Sequence, residues 1–237
     1  VCSSDLRNQG IAAFPIQGDE LIVAHCSNEN NGCDLSSFLL TPSGWSENPG
    51  VVSHLNSGYW DSQPFLTPEG DLLFFSSMRP GGQGGKDIYV SRRTDQGFTK
   101  AVNLGSTINT PYDEECPFVT PDRQFLIFSS NGYPRMGGSD LFYAAIRGDK
   151  FDSPKPLPAP FNSEGNDLFY YQIPGRNTVY FASDRPGGKG GLDIYESNQL
   201  PTMDQKPWPE KDYIILTGQI LDAKTRHPLD GSVKILD

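Results

Sequence analysis

Apolar residues in this chain come in short blocks, each bounded by Gly, Pro, Asp or Asn. "LLFFSS" (72–77) is one such block. "ELIVA" (20–24), "FLIFSS" (125–130) and "TVYFAS" (178–183) are its counterparts. Each block is too short for a helix, and its run of consecutive apolar residues predicts a strand buried on both faces. Ahead of the first block stands "DSQPFLT" (61–67), which predicts another strand. The two are joined by a turn in which Pro68 pre-sets φ and Gly70 supplies freedom. A glycine-rich phrase follows, then a strand "DIYVSRR" (87–93), a "DQG" turn and a weaker outer strand "FTKAVNL" (98–104). Each unit therefore reads as four short antiparallel strands.

The unit repeats. Asp34, Asp87, Asp140 and Asp193 are spaced by 53 residues. So are Trp45, Phe98 and Phe151, and so are Asn56, Asn109 and Asn162. Asp61, Glu114 and Asp167 keep the same interval. The first copy loses one residue between its second strand and Asp34. Four strands in a repeat of this length predict a β-propeller blade, and four copies predict four blades of an all-β protein. Four is the lower limit for a propeller, and because the N-terminus reads as truncated the whole protein is expected to carry five or six.

The glycine phrase is written "RPGGQGGKDIY" at 79–89 and "RPGGKGGLDIY" at 185–195, with a degenerate form "YPRMGGSDLFY" at 133–143. Glycine in an ordinary strand costs about 0.5–1 kcal/mol against alanine. Four within seven residues imply that the loop geometry needs them. The aspartate closing each loop, Asp34, Asp87, Asp140 or Asp193, is read as structural, accepting backbone N–H groups of its own turn. Ligand readings of the loop fail. Pro80 and Asp87 break the phosphate-loop pattern, the aspartate falls one place late for a calcium nonapeptide, and a strand rather than a helix follows. Trp45, Phe98 and Phe151 are expected to pack between blades, with carbohydrate stacking as the alternative. Asn56, Asn109 and Asn162 lie at crossovers between blades, where a carboxamide can serve stray backbone groups.

Composition narrows the function. The 237 residues carry a formal charge of −10 and a pI near 4.7. No basic stripe exists to neutralise phosphates, so nucleic acid is not an expected partner. No run of 18 apolar residues occurs, so no transmembrane segment is expected in this chain. Cys26 and Cys33 flank a polar turn and either pair across a hairpin or stay as free thiols. His25 beside Cys26 does not make a zinc site without a second ligand pair. Only His25, His54 and His227 are present, and no Gly-x-Ser-x-Gly elbow occurs. The carboxylates Asp113, Glu114 and Glu115 sit in a repeated slot that favours architecture. These readings predict no enzyme, no catalytic residues, no cofactor and no metal site. One slot stands out. Asp61, Glu114 and Asp167 open the innermost strands, and rotation about a propeller axis predicts that they line the central channel near its mouth. There they would either bond to a neighbouring blade or hold a cation.

The ends read differently from the repeat. "VCSSDL" (1–6) is what a sequencing-library adaptor encodes, so these residues are expected to be non-native and the protein to continue upstream. Residues 7–200 are assigned to the propeller and 201–212 to the last outer strand and a linker. Residues 213–237 are assigned to the start of a β-sandwich.

"PFLTPEGDLLFFSSMRPGGQGGKDIYVSRR" and "PFVTPDRQFLIFSSNGYPRMGGSDLFYAA" resemble the WD-like "PD" propeller repeats of TolB-like proteins. "SDRPGGKGGLDIY" (183–195) is similar to the form found in OmpA-family proteins of Bacteroidetes-type bacteria. "ILTGQILDAKTRHPLDGSVKILD" (215–237) resembles the opening of a carboxypeptidase-regulatory-like domain, with the pattern at Gly218, Ile220, Asp222, Thr225, Pro228, Leu229 and Gly231. That order resembles the PorE-like proteins of type IX secretion. The resemblance implies a non-enzymatic periplasmic scaffold, associated with the outer membrane, that binds envelope proteins. Peptidoglycan would be reached only through a downstream domain absent from this chain. The alternatives are the propeller accessory domain of a hydrolase, or a carbohydrate-binding propeller.

Overall fold

A computed structural model describes residues 9–15, 18–26 and 32–204. One compact unit runs from Val1 to Met203. The second unit, Asp204–Asp237, lies outside the described residues apart from Asp204, and with it the sandwich and most of the linker assigned above.

The described chain forms four antiparallel sheets in sequence order. Blade 1 contains β1 (Gln9–Ala13), β2 (Glu20–Cys26), β3 (Cys33–Thr41) and β4 (Gly44–Glu47). Blade 2 contains β5 (Asp61–Leu66), β6 (Leu72–Ser77), β7 (Asp87–Thr94), β8 (Gly97–Phe98) and β9 (Val102–Asn103). Blade 3 repeats this with β10 (Glu114–Val119), β11 (Phe125–Ser130), β12 (Asp140–Arg147), β13 (Lys150–Phe151) and β14 (Lys155–Pro156). Blade 4 shows β15 (Asp167–Gln172), β16 (Val179–Ser183) and β17 (Asp193–Ser197). The chain is an all-β protein with a four-bladed propeller arrangement.

The outer strand departs from the sequence expectation. In blades 2 and 3 it is split into two short pieces, both paired to the third strand. In blade 3, Pro154 and Pro156 remove two backbone donors from this stretch, which limits how far a ladder can run. Blade 4 shows three strands among the described residues.

Packing follows the blade seams. The apolar runs of β6 and β11 face both ways, as a sheet packed between two sheets requires. Leu73 and Phe75 join Ile22, Ala24 and Leu35 in the seam between blades 1 and 2, while Phe74 and Ile88 turn toward blade 3. Phe98 is buried in the first seam and Phe151 packs at the second. Trp45, in the same slot of blade 1, is 48% exposed.

Candidate functional site

The innermost strands β1, β5, β10 and β15 carry a common irregularity. Each has a bulge in its register against the second strand. In the last three blades the bulge holds a non-glycine residue at positive φ: Gln63 (54°), Cys116 (56°) and Phe169 (57°). Such a conformation costs an L-residue about 1–2 kcal/mol, so the neighbouring structure must hold it. Part of that hold crosses the seam. Gln63 Oε1 accepts the Cys116 N–H at 3.1 Å, and Gln63 Nε2 donates to Glu115 Oε2 at 3.0 Å. The three positions are 53 apart, but Gln, Cys and Phe share no chemistry. The repeat as read from residue types therefore passed over them.

Just past each bulge stands an aromatic residue: Phe65, Phe118 and Tyr171. Their rings form a ladder, with centroids 4.8 Å apart for Phe65–Phe118 and 5.5 Å for Phe118–Tyr171. Blade 1 has Ala13 in that slot, since Ala13 pairs with Ile22 as Phe65 pairs with Phe74. Ala13 lines a cavity of about 720 Å³ bounded by the inner strands and by Tyr180 and Ile194 of blade 4. Among the described residues its lining holds no Asp, Glu, Lys, Arg or His. Phe14 and Tyr171 line it while remaining 57% and 43% exposed. Tyr170 also lines it, and its buried hydroxyl has no hydrogen-bond partner among the described residues. Burial pushes that phenol well above its ordinary pKa. Cys116, another lining residue, is a buried free thiol whose pKa is raised by the same desolvation.

The three carboxylates expected at the channel mouth are not part of this lining. Asp61, Glu114 and Asp167 are fully buried, each inside its own blade. Asp61 accepts the Ser57 N–H at 2.6 Å, the Ser57 hydroxyl at 2.7 Å, the Ser77 hydroxyl at 2.5 Å and Arg79 Nη2 at 2.6 Å. Asp167 accepts the Ser163 N–H at 2.6 Å and Arg185 Nη2 at 2.7 Å. The hydroxyls and guanidinium of the same blade satisfy these oxygens, which removes the need for a shared cation. Among the described residues no group of three acidic, His or Cys side chains is arranged to hold a metal.

The glycine phrase thus carries an arginine whose role was missed in the sequence. Arg79 lies 5.1 Å from the Phe75 ring and 4.7 Å from Tyr89, and donates to the Leu55 carbonyl at 2.7 Å. Arg185 repeats this over Phe181 and Tyr195. Blade 3 has Gly132 in the arginine slot. There the Tyr133 ring packs on Phe128 and Phe142, and its hydroxyl donates to the Ile108 carbonyl at 2.8 Å. The phenol replaces the stacking and the donor but brings no charge. Glu114 is left with Thr110 and Ser130 alone, and its burial raises the carboxyl pKa.

The loop aspartates bind their own turns. Asp87 accepts from the Gln83 and Gly84 N–H groups and from Asn103 Nδ2. Asp140 accepts from Met136 and Gly137, and Asp193 from Lys189 and Gly190. Asp34 is exposed and faces His25 across the β2–β3 ladder. Two glycines show why the phrase is written this way. Gly81 has φ +88°, and a Cβ on Gly84 would come within 2.3 Å of the Thr110 and Tyr112 carbonyls. The crossover asparagines each clamp the third strand of the preceding blade. Asn56 bonds the N–H and carbonyl of Leu35, Asn109 those of Ile88, and Asn162 those of Leu141. Cys26 and Cys33 face each other in the first hairpin and form a disulfide, so Cys26 is not a metal ligand beside His25.

No protein family description and no curated protein matches the sequence. Solved structures do. The endo-arabinase of Bacteroides thetaiotaomicron aligns at TM-score 0.55 and 14% identity, over 87% of this chain and 80% of its own. TolB from Acinetobacter baumannii aligns at TM-score 0.53 and 14% identity, over 80% of this chain and 41% of its own. The α-L-arabinofuranosidase of Lactobacillus brevis aligns at 0.52 and 12% identity, over 79% of this chain and 69% of its own. The shared feature is the propeller fold. This chain spans 41% of the TolB length. The expectation that the chain is not an enzyme is corrected by these neighbours: glycoside hydrolases are prominent among the solved propellers it resembles. Among the described residues no helix is long and apolar enough to cross a membrane, which says nothing of a β-barrel.

Proposed function

We propose that the chain is a saccharide-binding propeller, serving as the recognition module of a glycan-processing hydrolase. The cavity carries this reading. Its volume of about 720 Å³ lies within the range of ligand sites, about 300–1,000 Å³. Partly exposed aromatic rings border it, and a ring face can stack on the C–H surface of a sugar. Gln172 and the tyrosine hydroxyls supply the polar groups. Buried Tyr170 Oη gains a partner when a ligand oxygen reaches it. Cleavage by the common glycosidase routes takes two carboxylates. Those would come from outside the described lining. The likeness to arabinan-acting propellers supports the saccharide class, and the Cys26–Cys33 disulfide supports an oxidising compartment such as the periplasm.

Calorimetric titration with arabino-oligosaccharides, preceded by a glycan array, tests this. Aromatic contacts contribute about 0.5–1.5 kcal/mol each. Tyr171→Ala is therefore expected to weaken binding by about two- to tenfold with an unchanged Tm. Absence of binding to every glycan overturns the reading. A second reading, a scaffold for envelope proteins of the TolB or OmpA-associated kind, is favoured by the uncharged lining. It predicts that the cavity takes an apolar peptide segment in place of sugar.

A further inference from the structure

We infer that Glu115, held by Lys86 and Gln63 beside the Trp60 ring, is the polar anchor of a second saccharide subsite, at the inner edge of the seam between blades 2 and 3. Its ligand is a neutral sugar with adjacent hydroxyls. The inference rests on the saccharide reading above and adds to it the group that reads those hydroxyls.

Glu115 lies on β10, one residue before the bulge at Cys116. Its Oε2 accepts Lys86 Nζ at 2.9 Å and Gln63 Nε2 at 3.0 Å. Its Oε1 takes no hydrogen bond among the described residues. The Lys86 ammonium sits 5.2 Å from the centroid of the half-buried Trp60 ring. The side chains of Glu115 and Lys86 are 13% and 26% exposed. Gln63 lines the apolar cavity, which sets the Glu115 carboxylate one hydrogen bond from that lining. Two aromatic residues border the cluster. Tyr59, next to Trp60, is 52% exposed, and Tyr112, whose carbonyl accepts the Gly85 N–H at 2.8 Å beside Lys86, is 61% exposed.

The architecture does not require these four side chains, because the next seam makes the same backbone joins without them. The Gly85 and Glu114 N–H groups bond the Tyr112 and Lys86 carbonyls, as those of Gly138 and Asp167 bond the Gly165 and Ser139 carbonyls one blade on. The Lys86 N–H bonds Asp113 Oδ1 at 2.9 Å, and the Ser139 N–H bonds Asn166 Oδ1 at 3.0 Å. Yet the slots of Trp60, Gln63, Lys86 and Glu115 there hold Asp113, Cys116, Ser139 and Leu168. A partly buried ion pair carries a desolvation cost that serine and leucine avoid. The quartet is thus surplus to the seam and open to a ligand. Its chemistry selects that ligand. Opposite charges 2.9 Å apart leave little net field, so neither an anion nor a cation is favoured. A hydroxyl both donates and accepts, and two on adjacent carbons can meet the open Glu115 oxygen and a Lys86 proton together. The indole beside them offers apolar area for the C–H surface of the same sugar ring.

Calorimetry and intrinsic fluorescence of the whole chain, with arabino-oligosaccharides or the best glycan of the array, test the subsite. Binding is expected to change the tryptophan emission of the wild type and to leave that of Trp60→Phe nearly unchanged. Glu115→Gln loses a charged acceptor and is expected to bind about tenfold or more weakly, at a Tm close to that of the wild type. Lys86→Ser combined with Glu115→Leu installs the residues of the next seam. This double variant is expected to fold and to bind as weakly, so the test stands even where the single change unfolds the chain. Affinity lost in the Glu115 variants and kept in Tyr171→Ala supports the subsite and counts against the cavity. Binding that weakens in Tyr171→Ala but keeps its affinity in both Glu115 variants overturns the subsite and leaves the cavity reading standing. So does saccharide binding with no change in Trp60 emission. Absence of binding to every glycan overturns both.

Discussion

Gln63 Oε1 accepts the backbone N–H of Cys116 at 3.1 Å, joining the bulge of one inner strand to the bulge of the next. Both residues are at positive φ. The side chain of one therefore stabilises the strained backbone of the other. Replacing Gln63 by Ala removes the acceptor and keeps the strain, at an expected cost of about 1–3 kcal/mol. Gln63→Gly also loses the acceptor but relaxes φ, and is expected to recover about 1 kcal/mol of that loss. Urea unfolding of the two variants checks the order, and equal midpoints would show that the bulge stores no strain.

Glu114 predicts a pH dependence. Burial raises its carboxyl pKa, and blade 3 has no arginine in the place where Arg79 pairs with Asp61 and Arg185 with Asp167. Between the ordinary carboxylate range and the raised value, the folded state binds more protons than the unfolded one. Stability from this group is therefore greatest at low pH and falls as pH rises through that window. Glu114→Gln keeps a donor and an acceptor without the charge. It is expected to remove this decline and to raise the melting temperature at neutral pH, with little change near pH 4. Thermal melts across pH 4–8 measure it, and parallel curves for the two proteins argue against a buried charge.

Asn109 bonds the N–H of Ile88 at 2.8 Å and its carbonyl at 3.0 Å, both deep in the second seam. Asn109→Ala leaves two buried backbone groups unpaired, at about 1–3 kcal/mol each. A loss of about 2–4 kcal/mol is expected, with faster amide exchange in β7. Denaturant melts and hydrogen exchange read both effects.

Asp87 is buried and bonded to Asn103 as well as to its own turn, whereas Asp193 is partly exposed and holds only its turn. Asp87→Ala is expected to cost about 1–3 kcal/mol. The same change at Asp193 is expected to cost less, because water replaces the lost acceptor. A larger loss at Asp193 in urea melts contradicts this ordering.

Much of the fold was legible in the sequence because it repeats. A period of 53 set the number of blades, the apolar runs marked strands buried on both faces, and the glycines marked loops of close approach. These are local or periodic properties, and one chain suffices to display them. The site was not legible in the same way. The partners of Asp61, Glu114 and Asp167 were not readable from their spacing: serine, threonine and arginine donors of the same repeat meet their buried oxygens, and only the folded chain brings these together. The positive-φ slot at 63, 116 and 169 was hidden because a backbone conformation recurs there without a recurring residue type. Ala13 stands where the other three blades carry an aromatic, and only the packed structure brings it into one cavity lining with Tyr180 and Ile194.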